Sequence, residues 1–175
     1  MPLIKIPEET MRHKYPVFHV ALLVALAVLL FPAAGAFAED DDQFIQPDDY
    51  FISRVDFKGQ AWIHVHLAKM TTPATPETKN EAEFMQITDG NKLWTKYYWT
   101  SRISTPAEVK IGALIITFDA SDGDVYRAPE NRDEARTGSW FMARITDTSD
   151  LYKGYVTVSG GYKVDAKALR IVEKK

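Results

Sequence analysis

Apolar and polar residues alternate over much of the chain after residue 50, a period of two that is typical of β-strands. The clearest case is Ala61–Met70, AWIHVHLAKM. Three apolar side chains of this stretch share one face: Ile63, Val65 and Leu67. The residues between them share the opposite face: Trp62, His64 and His66. Strict alternation with β-branched residues predicts a half-buried antiparallel strand.

The same pattern predicts further short strands, separated by turn residues. They are Tyr50–Phe57, Glu83–Thr88, Lys92–Ile103, Ala113–Phe118, Val125–Arg127, Ser139–Thr146, Gly154–Ser159, Tyr162–Val164 and Leu169–Val172. Asp89-Gly90-Asn91 and Gly160-Gly161 supply residues that accept positive φ in tight hairpins. We therefore expect eight to ten strands, most of them joined antiparallel.

Helical signals are confined to single turns. Thr105, Pro106 and Glu108 form a capping-box pattern, but Gly112 follows so soon that only about one turn fits. Asp165 is placed to cap a second turn. Ala128–Gly138 is highly charged and predicts a solvated loop with at most a helical turn. The fold class is therefore all-β, a small, strongly bent antiparallel sheet or barrel of SH3-like or OB-like type.

The first 38 residues differ in kind from the rest. Arg12-His13-Lys14 precedes the apolar run Ala21–Phe31, and Ala36-Phe37-Ala38 has the small-x-small form of a cleavage site. This order predicts a secretory signal peptide at 1–38, an acidic lead-in at 39–49 and one β domain at 50–175. The alternative is a retained anchor, because Tyr15–Ala38 is long enough to span about 30 Å of hydrocarbon.

Charge and cysteine content narrow the function. The 175 residues include 21 Lys and Arg, 24 Asp and Glu, and no Cys, which gives a net charge of −3. Mild acidity argues against nucleic acid, which needs clustered Lys and Arg to neutralise phosphates. Without Cys there is no lipid attachment at the cleavage site, no disulfide and no thiolate chemistry. We expect a periplasmic or secreted protein that leaves the membrane once the signal is cleaved.

Aromatic residues on the predicted strands are the main candidates for ligand binding. Exposed flat rings beside hydrogen-bonding neighbours suit sugar rings or the side chains of a partner. The candidates are Trp62, Trp94, Tyr98 and Trp140. The competing interpretation makes these rings core residues or cross-strand pairs.

Two histidines raise the hypothesis of a divalent metal. His64 and His66 are two residues apart on one strand face, so a third ligand from a neighbouring strand would complete a site. The competing interpretation is two half-exposed histidines beside Trp62. The acidic segment Asp119–Asp124 does not match EF-hand spacing and predicts a hairpin turn instead.

Sequence patterns typical of catalysis are missing. The chain contains no G-x-S-x-G and no H-E-x-x-H. We therefore expect a non-catalytic binding or interaction module of the cell envelope, with an envelope protein or a glycan as its partner and no cofactor. The alternatives are a metal-binding or metal-dependent periplasmic protein that uses His64 and His66, and a membrane-anchored envelope structural protein.

Overall fold

The computed structural model of the protein describes residues 44–173. The predicted signal peptide at 1–38 lies outside the described residues, as do residues 39–43 of the acidic lead-in. The remainder of the lead-in belongs to the fold, because Ile45 is buried in the core and Asp49 begins the first strand.

Twelve strands form within residues 44–173. They are β1 Asp49–Ile52, β2 Trp62–Thr72, β3 Ala82–Gln86, β4 Lys92–Thr95, β5 Tyr98–Ile103, β6 Leu114–Phe118, β7 Ser121–Asp122, β8 Val125–Tyr126, β9 Trp140–Asp147, β10 Tyr155–Val158, β11 Lys163–Asp165 and β12 Arg170–Glu173. The helical elements are α1 Arg132–Thr137 and three 3₁₀ turns at Pro106–Glu108, Leu151–Lys153 and Ala166–Ala168. No helix in this part of the chain is long and apolar enough to cross a membrane.

Strand β2 closes the barrel because it pairs with different neighbours along its length. Trp62 to Val65 pair with β9, while the residues from His66 to Lys69 pair with β1. The closed ring runs β2-β1-β5-β12-β6-β9, and each of its pairs is antiparallel. The expected all-β barrel is therefore confirmed. Six strands close it, one more than the five of an OB-fold.

One end of the barrel, here called the capped end, is covered by α1. Asn131 begins this helix by accepting a hydrogen bond from the Glu134 N–H at 2.9 Å. Within this helix Ala135 is fully buried, and its carbonyl accepts a 2.9 Å hydrogen bond from Nε1 of Trp140. Arg136 forms an ion pair with buried Asp49 at 2.9 Å. The segment Ala128–Gly138, expected to be a solvated loop with at most a helical turn, is exposed or partly exposed at most positions and contains the short helix α1, whose buried Ala135 covers this end of the barrel.

The barrel is covered on two outer faces as well. Alternate residues of β9 face outward and pack beneath β10 and β11: Phe141, Ala143 and Ile145 against Val156, Val158 and Val164. Strand β11 also pairs with β8, in parallel. Farther along β2, the β3–β4 hairpin places Phe84 against the outer face of β1 and β2. The hairpins predicted at Gly90 and at Gly160-Gly161 are confirmed, with positive φ at each glycine.

The strand expected at Lys92–Ile103 is broken in two. The Thr95 hydroxyl donates to the Ser53 carbonyl at 2.7 Å, and the Thr95 hydroxyl oxygen accepts a hydrogen bond from the Tyr97 N–H at 3.0 Å. These side-chain bonds let the chain leave the hairpin with β3 and continue as β5 beside β1. The strand expected at Tyr50–Phe57 likewise ends early, at Ile52.

Candidate functional site

The four predicted aromatic residues lie in separate parts of the fold. Trp140 is 2% exposed and faces the barrel interior, so it shares no surface with Trp62, which lies on the outer face of β2. Tyr98 packs against Phe84 with ring centroids 4.9 Å apart. Trp94 is 42% exposed on the edge strand β4. The four residues therefore do not form one continuous aromatic surface, and their part in ligand binding stays a prediction.

A groove lies at the end of the barrel opposite α1, here called the open end. Strand β6 runs from this end, where Leu114 pairs with Arg144, to the capped end, where Phe118 pairs with Trp140. The groove has a volume of about 510 Å³. Its lining residues come from three strands (β5, β6 and β12), the β4–β5 connection and the segment after β1: Asp56, Lys96, Tyr97, Tyr98, Trp99, Leu114, Val172 and Glu173.

The groove has an apolar floor and a charged rim. Trp99, Leu114 and Val172 are partly buried and pack against the barrel core, so they form a firm base. At the rim, Lys96 Nζ lies 5.4 Å from the centroid of the Tyr97 ring. The exposed carboxylates of Asp56 and Glu173 line the same space. A concave apolar site with a few polar groups, within the range of about 300–1,000 Å³, is typical of ligand pockets.

Non-strand segments beside the barrel give the groove its shape. The interruption between β4 and β5 brings Lys96 and Tyr97 to the rim. Beside them, the segment after β1 turns back and buries Phe57, over whose ring Arg144 lies at 5.4 Å. Phe57 therefore fills part of the barrel end, and the groove occupies the space that remains.

A second concavity lies on the outer face of β2 and β9. We call it the Trp62 cleft, and its residues are Trp62, His64, Asp119, Tyr126, Phe141 and Tyr162. Phe141 is buried at its base, and the ring centroids of Tyr126 and Tyr162 lie 5.2 and 5.8 Å from that of Phe141. The Trp62 ring lies 6.0 Å from Tyr162. All three contacts are edge-to-face.

Polar atoms surround the mouth of the Trp62 cleft. Nδ1 of His64 lies 3.6 Å from Oδ2 of Asp119. Burial is the main reason that the pKa of Tyr126 is raised above its ordinary value, and the Asp119 carboxylate and Tyr162 add to this effect. The negative charge of Asp119 therefore acts on the interior of the cleft.

His64 and His66 are both exposed on the outer face of β2, as the alternation predicted. Loss of hydration, followed by repulsion from His64, lowers the pKa of His66 below its ordinary value. Within residues 44–173, no group of three or more His, Cys, Asp or Glu side chains is arranged to hold a metal ion. The predicted metal site therefore has two candidate ligands and no third among these residues.

Sequence reasoning identified some members of each site and missed others. Trp62 and His64 were identified by their shared strand face, and Tyr98 by its place in an aromatic run. Tyr126 and Tyr162 were missed because the parallel pairing of β8 with β11 brings them together, and nothing in their local sequence indicates it.

Comparison with protein-family models, curated proteins and solved structures found no match to this chain. The function is therefore inferred from the geometry of the groove and the cleft.

Proposed function

We propose that the protein is an exported, non-catalytic binding module of the cell envelope, periplasmic or secreted, that holds its ligand in the groove at the open end. The observation that carries this proposal is the groove itself, about 510 Å³ in volume, with three consecutive aromatic residues, Tyr97 to Trp99, in its lining. Its size falls in the range of known ligand sites.

The lining favours a glycan segment as the ligand. Aromatic rings offer flat apolar faces, and Tyr and Trp also carry a polar atom for hydrogen bonding. Asp56 and Lys96 add a carboxylate and an ammonium group at the rim, which suit the hydroxyl groups of a sugar. The net charge of −3 offers little attraction for a polyphosphate chain.

Binding by the groove can be tested with Tyr97→Ala. This change removes the ring at the rim but keeps the backbone carbonyl that accepts the Ser53 N–H at 3.0 Å. A panel of neutral, amino-sugar and uronic-acid oligosaccharides would be titrated against the wild type and the variant by calorimetry. We expect at least one oligosaccharide to bind, and Tyr97→Ala to weaken its binding at least tenfold.

The matched control is Tyr152→Ala, because Tyr152 is 81% exposed and lies outside the groove. It should bind like the wild type, and both variants should keep the wild-type melting temperature. Equal binding by Tyr97→Ala and wild type would contradict the proposal. Capture of an envelope protein by the groove, with no oligosaccharide bound, would make the partner a protein.

The two alternative functions remain separate hypotheses. A metal-dependent protein would need His64 and His66 together with a ligand from outside residues 44–173. A membrane-anchored envelope structural protein would retain residues 1–38. The intact mass of the protein recovered from its host distinguishes these cases, because cleavage after Ala38 leaves a chain that begins at Glu39 and a bound metal adds its own mass.

A further inference from the structure

We propose that the Trp62 cleft is a second binding site, specific for a primary alkylammonium group such as the end of a lysine side chain or of an amine. The inference goes beyond the groove ligand, because the cleft and the groove share no lining residue. The two sites can therefore be tested one at a time.

The arrangement of the rings favours a cation. The Trp62 ring is inclined at 89° to His64 and at 73° to Tyr162, so the rings form the walls of a cup rather than a flat stack. A cation is attracted to the negative face of an aromatic ring within about 6 Å, most strongly to Trp. Tyr126 extends the wall, because its ring is inclined at 75° to that of Tyr162.

The charge at the mouth favours the same ligand. The Asp119 side chain is only 25% exposed, so its attraction for a cation is less screened than that of a fully exposed carboxylate. Its ion-pair partner, His64, is charged only when protonated. When this imidazole is neutral, a cation in the cleft would therefore supply the positive charge that it lacks.

The size of the cleft selects the kind of ammonium. Its volume is about 30 Å³, which has room for a small head group while the rest of the ligand remains outside. A primary ammonium has three N–H donors. Asp119, Tyr126 and a neutral His64 all line the cleft and carry oxygen or nitrogen atoms that can accept them. A quaternary ammonium is larger and has no N–H to donate.

The β10–β11 turn fixes the walls of the cleft. Gly160 has a φ of +94°, and a Cβ there would lie 2.8 Å from Cε2 of Tyr162 and 3.0 Å from Cδ1 of Trp62. The turn therefore lies directly against both rings. Ser159 links the same turn to β2, because its hydroxyl donates to the Ala61 carbonyl. A wall held in this way loses little conformational entropy when a ligand binds.

The four tryptophans make the test specific. Each indole N–H gives its own signal in a ¹⁵N-correlated NMR spectrum: Trp62 in the cleft, Trp99 in the groove, Trp94 on an edge strand and Trp140 in the core. We would titrate n-butylammonium, n-butanol and tetramethylammonium at about pH 8, where a histidine is mostly neutral. We expect n-butylammonium to shift the Trp62 signal saturably and to leave Trp99 unchanged.

The neutral and quaternary probes test charge and size. n-Butanol should leave the Trp62 signal in place, and tetramethylammonium should bind at least fivefold more weakly than n-butylammonium. Equal binding of n-butanol would show a merely apolar cleft and overturn the proposal. Tighter binding of tetramethylammonium, or no shift of Trp62 with any cation, would overturn it as well.

Asp119→Asn tests the carboxylate directly. It should weaken n-butylammonium binding at least tenfold. The matched control is Asp124→Asn, an exposed acid in the β7–β8 hairpin, which should change binding less than twofold. If the two variants weaken n-butylammonium binding equally, Asp119 acts only through the general surface charge, which contradicts a specific site. Tyr126→Phe, which keeps the ring, should weaken binding by a smaller factor through the lost hydroxyl.

Discussion

Aromatic residues are buried at one end of the barrel and partly exposed at the other. At the capped end, the Trp140 ring packs edge-to-face against Phe51 and Phe118, with centroids 5.2 and 5.1 Å away. Its only polar atom is satisfied by the Ala135 carbonyl in α1. At the open end, Tyr97 and Trp99 remain partly exposed beside a groove.

This difference separates aromatic residues that stabilise the fold from those available to a ligand. Burial of a large ring, with its N–H satisfied, contributes to stability and leaves no face for another molecule. A ring that supports the core on one side and borders a groove on the other can serve both purposes. Helix α1 therefore covers one end of the barrel, whereas the other end keeps an exposed groove, the proposed ligand site.

Trp140→Ala is the change expected to have the largest effect. The side chain is 2% exposed, and its removal would leave a cavity beneath α1 as well as an unpaired Ala135 carbonyl. Large-to-small changes of this kind cost about 3–5 kcal/mol in the free energy of unfolding. Urea denaturation followed by circular dichroism measures the loss.

Trp94→Ala is the comparison for that experiment. Trp94 is 42% exposed on strand β4, so its loss should cost about 1 kcal/mol or less. If the two substitutions destabilise the protein equally, burial at the capped end is not what distinguishes these tryptophans, and the contrast between the ends fails.

Gly138→Ala should have an intermediate effect at the same end. Gly138 ends α1 with a φ of −79°, which any residue can adopt. A Cβ there would overlap Cζ of buried Phe118 and lie 2.8 Å from the Glu134 carbonyl oxygen. Overpacking of this kind costs about 1–3 kcal/mol, measured by urea denaturation.

Ser139→Ala is the control, because it introduces alanine at a neighbouring position that is exposed. It should change the free energy of unfolding by no more than about 0.5 kcal/mol. A neutral Gly138→Ala would mean that α1 moves freely away from Phe118 and does not hold the capped end closed.

The barrel could be predicted from the sequence because its strands carry strong local signals. The alternation in β2 placed Ile63, Val65 and Leu67 in the interior and the histidines outside, and the structure agrees. Glycines that adopt positive φ marked the hairpins at Gly90 and Gly160. In these cases the same residues determine both the local conformation and the buried face.

The cap and the groove could not be predicted because their causes are tertiary. Ala135 is the single residue of α1 that is fully buried, and one small side chain produces no hydrophobic periodicity. The break that brings Tyr97 to the groove depends on the Thr95 hydroxyl reaching Ser53, which is distant in sequence. An alternating pattern continues through such a break and predicts one long strand.

The smallest predicted effect is a loosening of the capped end in acid. Arg127 forms a double ion pair with Glu134 of α1, at 2.6 and 3.0 Å. This contact is the main reason that the pKa of Glu134 lies below its ordinary value of 4.5. A carboxyl whose pKa is lowered by folding stabilises the fold above its unfolded pKa. Its contribution is therefore present above pH 4.5 and is lost as the pH falls further.

Hydrogen exchange measures this effect at each end. The amides of Ala135 and Gly138 report on the capped end, and the Ile145 amide, which donates to the Ala113 carbonyl at 3.0 Å, reports on the open end. Between about pH 6 and about pH 3, protection corrected for intrinsic exchange should fall more at the capped end. Glu134→Gln should remove that difference, since an amide does not titrate. An equal loss of protection at both ends would mean that acid acts on the whole barrel, and that the ion pair between Arg127 and Glu134 does not control the cap.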